Sequence, residues 1–168
     1  MKNKKITLYT ARGALVGALY VVLTLISALF GLSSGVIQFR ISEALCILPI
    51  FMPEAIPGLF IGCIISNLIA GGAFWDIVFG SIATLLGAVL ARMLRKLPER
   101  LIFISTLPTV FANALIIPFV LIYALGAKDS YAFIALTVFI GEAVCATGLG
   151  TVIYFTLKKS KAFKNLIK

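Results

Sequence analysis

Residues 41–71 read ISEALCILPIFMPEAIPGLFIGCIISNLIAG, an apolar stretch with Pro49, Pro53 and Pro57 at four-residue spacing and Glu54 between the last two. Proline removes a backbone donor and clashes with the preceding helical turn, so one straight helix does not suit this stretch. It forms either one kinked span or two spans, the first of them short, turning near Met52-Pro53-Glu54. The choice decides the fold, because it sets how many times the chain crosses a membrane.

That it does cross one follows from composition. The 168 residues are 61% hydrophobic and only 12% charged, with a mean hydropathy of +1.12. A water-soluble domain is nearer half apolar and about a quarter charged, so too little polar surface exists here to clothe a globule in water. The apolar runs are continuous and do not alternate with period two, which selects helices over a membrane barrel. A spanning helix needs about 20 mainly apolar residues. Beyond 41–71, runs at 8–30, 75–94, 101–125 and 131–157 meet that length, joined by a Gly/Ser-containing connection at 31–40 and a polar turn at 126–129. The first run lacks a small-residue cleavage site and is read as a retained helix.

Charge topology chooses between one span and two. With two spans in 41–71, six helices result, and the basic N-terminus, the 92–100 connection and the basic tail share one side. That side then holds 13 of the 15 Lys and Arg residues, leaving Arg40 and Lys128 opposite. With one span the best split falls to 10 against 5. The positive-inside rule therefore predicts an all-α integral membrane protein of six transmembrane helices, a single domain over 1–168 with both termini cytoplasmic. The net charge of +9 is explained by this arrangement, and no aromatic-interleaved groove suggests nucleic acid.

On that topology Arg40 and Glu43 lie at the outer end of the second helix, and Asn67 lies near the outer end of the third. Trp75 and Asp76 begin the fourth helix from the same side, with Phe74 just before them. Asn113 and Glu142 fall near mid-depth, counting about 1.5 Å of rise per residue. This asymmetry predicts a pocket open to the outside. The stretch QFRISEAL, residues 38–45, is expected to form its outer rim, with Glu43 as a direct contact, Arg40 supporting or gating it, and Gln38 alongside. Each residue also has an ordinary alternative. Arg40 and Glu43 at i, i+3 suit a helix-end ion pair, Asp76 suits a helix N-terminus, Asn113 suits an interhelical hydrogen bond and Trp75 suits an interfacial anchor. Glu142 is hardest to explain away, since a carboxylate near mid-bilayer is expensive unless paired, hydrated or functional. Glu54 and Glu99 are left outside the site.

In the first helix Ala11, Ala14 and Ala18 share a face, with Gly17 beside it; small residues at four-residue spacing let helices approach closely. A second stripe, Gly80, Ala83, Thr84, Gly87, Ala88 and Ala91, is assigned to internal packing. Cys46, Cys63 and Cys145 stand in apolar runs at wide spacing, as small core residues and not metal ligands. The chain has no histidine, no phosphate-binding loop and no HExxH. No catalytic residue, cofactor or metal is therefore predicted, and ATP hydrolysis would have to come from a partner. No inverted repeat is evident, which weakens a two-half secondary transporter.

The stretch VIQFRISEALCILPIFMPEAIPGLFIGCIISNLIAGGAFWDIVFGSIATLLGA, residues 36–88, is similar to the QueT family of queuosine-precursor transporters. The six helices, the Ala14-x-x-x-Ala18 pair and the outward polar pocket likewise resemble the substrate-binding S component of an energy-coupling-factor (ECF) transporter. The resemblance covers nearly the whole chain. It implies a transport subunit, not an enzyme, in the cytoplasmic membrane. Its partners would be a transmembrane coupling protein and two ATPase subunits, and it would topple in the bilayer to deliver its ligand. The Ala11/Ala14/Ala18 face would dock the coupling protein. The implied ligand is a 7-deazaguanine in aminomethyl or nitrile form.

That ligand's guanine-like edge presents two adjacent N–H donors, which one carboxylate, Glu142 or Glu43, can accept together. Its carbonyl needs a donor from Asn67, Asn113, Gln38 or Arg40. Its flat ring suits an aromatic face from Trp75 or Phe74. A cationic aminomethyl group would call for a second carboxylate, Asp76, which the nitrile form would not need. Two alternatives stand beside this reading: an S component for a different small vitamin, and an intramembrane enzyme using Glu142 and Asp76.

Overall fold

The computed structural model describes residues 2–166, so Lys168 of the basic tail lies outside it. Among the described residues all regular structure is helical. The elements are α1 (Lys2–Leu29), α2 (Ile41–Ile50), α3 (Ala55–Ile69), α4 (Phe74–Lys96), α5 (Glu99–Tyr123), α6 (Tyr131–Lys159) and α7 (Lys161–Leu166). Helices α1, α4, α5 and α6 are each long and apolar enough to cross a membrane. The proline-bearing stretch does divide in two, with the break at 51–54. Both pieces are shorter than a full α-helical span. Ten residues of α2 in 3₁₀ geometry reach about 20 Å and fifteen of α3 about 22 Å, against a hydrocarbon core of about 30 Å.

The decisive element is α2. Ser42 through Pro49 are all buried, and the helix packs against α1, α3, α4 and α6. Within QFRISEAL the polar side chains face the inside of the bundle: Gln38, Arg40 and Glu43 are 2%, 3% and 0% exposed. A 3₁₀ run this long is uncommon because its hydrogen bonds are poorer; here its ends are completed from outside. The Ile41 amide donates to Ser27 Oγ of α1 at 3.1 Å, and Arg92 Nη1 of α4 donates to the Pro49 and Ile50 carbonyls at 3.0 and 2.9 Å.

Around α2, α1 packs closely on α3 because both carry glycines at four-residue spacing. A Cβ on Gly58 would lie 2.4 Å from the Gly13 carbonyl oxygen, and one on Gly62 would lie 2.8 Å from that of Gly17. The small-residue pattern in α1 thus divides by face. Gly13 and Gly17 are buried against α3, while Ala11, Ala14 and Ala18 remain exposed. The small stripe of α4 is buried throughout, and Gly87 meets Thr109 of α5. Much of the outer surface is apolar, with Leu19, Ile61, Val89, Leu115 and Val152 all exposed. An apolar exterior on this scale fits a lipid solvent.

Helix α6 is α-helical to Glu142, π-helical over Ala143–Leu149 and α-helical again from Gly150. Such π segments often sit at functional sites.

Candidate ligand site

The interior of the bundle holds a polar cluster centred on Glu43. Its carboxylate accepts from the Tyr20 hydroxyl of α1 through Oε1 and from the Cys46 thiol through Oε2, the latter at 3.1 Å. Thr84 Oγ1 of α4 lies 3.4 Å from the same Oε1 and also meets Cys63 Sγ of α3 at 3.5 Å. Asn67 Nδ2 donates to Cys63 Sγ at 3.4 Å. One short helix and its three neighbours thus supply the shell around one carboxylate.

Arg40 stands beside this shell, at the entry to α2. Its Nε donates to the Ser33 carbonyl at 2.6 Å, and its Nη2 lies 3.8 Å from Asp76 Oδ2. Gly80 leaves space between the Arg40 and Asn67 head groups, since a Cβ there would lie 3.8 and 3.6 Å from them. The 31–40 connection closes over this side. Gln38 Nε2 donates to the Gly35 carbonyl at 2.8 Å, and Thr137 of α6 donates to the Val36 carbonyl at 2.6 Å. The Gln38 carbonyl abuts Gly141, where a Cβ would come within 1.8 Å. Glu142, the next residue, is 3% exposed and lies within electrostatic reach of Glu43 and Arg40.

Three atoms of charged groups in this region are buried without a hydrogen-bond partner: Arg40 Nη2, Asp76 Oδ1 and Glu142 Oε2. Buried polar groups are nearly always paired, and a charged one left unpaired is costly. Both signs of charge are represented, which gives the cluster the capacity to bind a molecule that donates and accepts.

The structure thus brings together Gln38, Arg40, Glu43, Asn67, Asp76 and Glu142. Asn113 is also buried; its amide donates back to the Thr109 carbonyl at 3.1 Å. It shares a face of α5 with Ile117, whose side chain borders Gly80. Phe74 and Trp75 stand apart, 68% and 49% exposed, in contact with each other at 5.3 Å between ring centroids. Tyr20, Thr84 and Cys63 also belong to the cluster; the sequence assigns Thr84 and Cys63 to packing and does not single out Tyr20. Tyr20, Thr24 and Ser27 do carry a signal, a hydroxyl at i, i+4 and i+7 marking one polar face of an apolar helix. Glu54 pairs with Arg12 at 3.2 Å and Glu99 with Lys158; neither touches the cluster. Among the described residues no group of His, Cys, Asp or Glu is arranged to hold a metal ion.

On the outside, α1 and α3 form an apolar groove of about 690 Å³. Ala14 and Ala18 line it, together with Val21, Pro57, Ile61 and Ile65.

Comparison with known proteins gives two findings. A family model described as QueT transporter matches residues 10–159. The Queuosine precursor transporter QueT of Lactococcus lactis subsp. cremoris (strain MG1363) is 42% identical over 72 residues, covering 43% of this chain and 42% of that protein. No solved structure matches the chain.

Proposed function

The chain belongs to the QueT transporter family, and from that premise we propose that it is the substrate-binding S component of an ECF importer for a queuosine precursor. A transporter and not an enzyme, it crosses the cytoplasmic membrane six times as one domain with both termini inside. The bias of 13 in 15 basic residues to one side supports that arrangement. The two short helices complete it as a descending and returning pair, α2 in the bundle interior and α3 with one face outward.

The observation that carries the ligand assignment is the set of buried atoms of charged groups, on Arg40, Asp76 and Glu142, that make no hydrogen bond. A 7-deazaguanine meets them well. Glu142 accepts the two adjacent N–H groups of the guanine-like edge, and Arg40 Nη2 donates to the ring carbonyl. Glu43, already holding Tyr20 and Cys46, organises the shell and does not read the ligand directly. The amides of Gln38, Asn67 and Asn113 have local partners and serve as walls. Phe74 and Trp75 anchor the helix at the membrane interface.

The groove beside Ala14 and Ala18 seats the coupling protein, and two ATPase subunits drive transport through it. Binding itself then needs no ATP. Calorimetric titration of the purified chain with 7-aminomethyl- and 7-cyano-7-deazaguanine should give saturable binding in the absence of nucleotide. A folded preparation that binds neither rejects the assignment.

A further inference from the structure

A single guanidinium, Arg40, stands 3.8 Å from Asp76 and within electrostatic reach of the buried carboxylates Glu43 and Glu142. The remaining buried acid, Glu54, has Arg12 as its partner, and the chain contains no histidine. The other titratable groups facing the cluster are Tyr20, Cys46, Cys63 and Cys145, none of which can supply positive charge. With its charged groups ionised, the cluster therefore holds a formal surplus of two negative charges.

The three acids are not equivalent. Both oxygens of Glu43 accept hydrogen bonds, whereas Asp76 Oδ1 and Glu142 Oε2 accept none. An uncompensated buried carboxylate is costly. Taking up a proton discharges it but leaves the second oxygen without a donor. A ligand ammonium group removes both penalties, because it brings a positive charge and three N–H donors.

We infer that this site selects a cationic ligand. Resting on the deazaguanine reading above, the form it selects bears a protonated aminomethyl group, not the neutral nitrile. Both forms present the same edge to Glu142, so the discrimination falls to Asp76. Its Oδ1 accepts no hydrogen bond, while Oδ2 faces Arg40.

The test compares the affinities of the two forms for the purified full chain in detergent at pH 7. The aminomethyl form should bind at least about tenfold more tightly, the lower end of what one charge-assisted hydrogen bond contributes. Asp76→Asn should collapse that ratio severalfold. Equal affinities, tighter binding of the nitrile form, or a ratio unchanged in Asp76→Asn overturns the inference. The wild-type ratio alone decides it if the variant does not fold. Binding of neither form by folded protein rejects the deazaguanine reading itself, whereas binding of both without preference rejects only the cation selection.

Discussion

At the scale of single residues, Glu43 and Glu142 are both acids in an apolar chain, yet their surroundings assign them different work. Glu43 is saturated by Tyr20 and Cys46, so Glu43→Gln turns an amide group toward hydroxyl and thiol donors. Unmade hydrogen bonds of buried groups cost about 1–3 kcal/mol. This variant should melt several degrees below wild type and bind ligand weakly. Glu142 keeps an oxygen free, so Glu142→Gln should retain the wild-type melting temperature within a few degrees. It should nevertheless lose about tenfold to a hundredfold in affinity, the worth of a hydrogen bond to a charged group. Thermal melts and titrations of both variants check the split, and equal affinity losses at equal stability would contradict it. Sequence made both acids conspicuous, because charge is rare in apolar runs. It could not show which one was occupied, since Tyr20 reaches Glu43 only through packing of α1 on α2.

At the scale of elements, the prolines of 41–71 announced a break and the structure has one at 51–54. The resulting short helix is not peripheral: α2 is the core around which the long helices pack. Its burial depends on how closely α1 and α3 approach, which the glycines allow. Gly58→Ala would put a Cβ 2.4 Å from the Gly13 carbonyl oxygen, against backbone that has little room to retreat. Overpacking of this kind costs about 1–3 kcal/mol, and a lowered melting temperature should report it. The control is Gly126→Ala, where nothing lies within 4 Å but φ is +70°; it strains a surface turn without touching the helix contact. If Gly58→Ala melts with wild type, the α1–α3 contact is looser than its geometry. The glycine spacing was visible in sequence, but a helix face binds whatever partner the fold supplies, so the pairing of Gly13 and Gly17 with Gly58 and Gly62 was not.

At the scale of the whole molecule, two outcomes test orientation and assembly. Cysteines introduced singly at Lys5, Lys96 and Lys158 should react with impermeant reagents from the same side of the membrane, and one at Lys128 from the other. The three native cysteines are buried and give little background. A labelling pattern that puts Lys5 on the opposite side from Lys96 and Lys158 rejects six crossings. Ala14→Trp fills the groove between α1 and α3 without entering the ligand cluster. Ligand binding should persist while co-purification with the coupling protein and uptake are lost; retained uptake places the docking surface elsewhere.

Sequence by itself determined the solvent, the helices and the identity of all four charged groups in the cluster, Arg40, Glu43, Asp76 and Glu142. Those follow from local quantities: hydropathy over about 20 residues, proline's missing donor, and the expense of charge in an apolar run. Tertiary structure alone decided that α2 lies at the centre, that the aromatic pair Phe74 and Trp75 faces outward, and that Glu43 is satisfied while Asp76 and Glu142 are not. These depend on which helices meet and at what rotation. That is a property of side-chain packing across the bundle, and no single segment carries it.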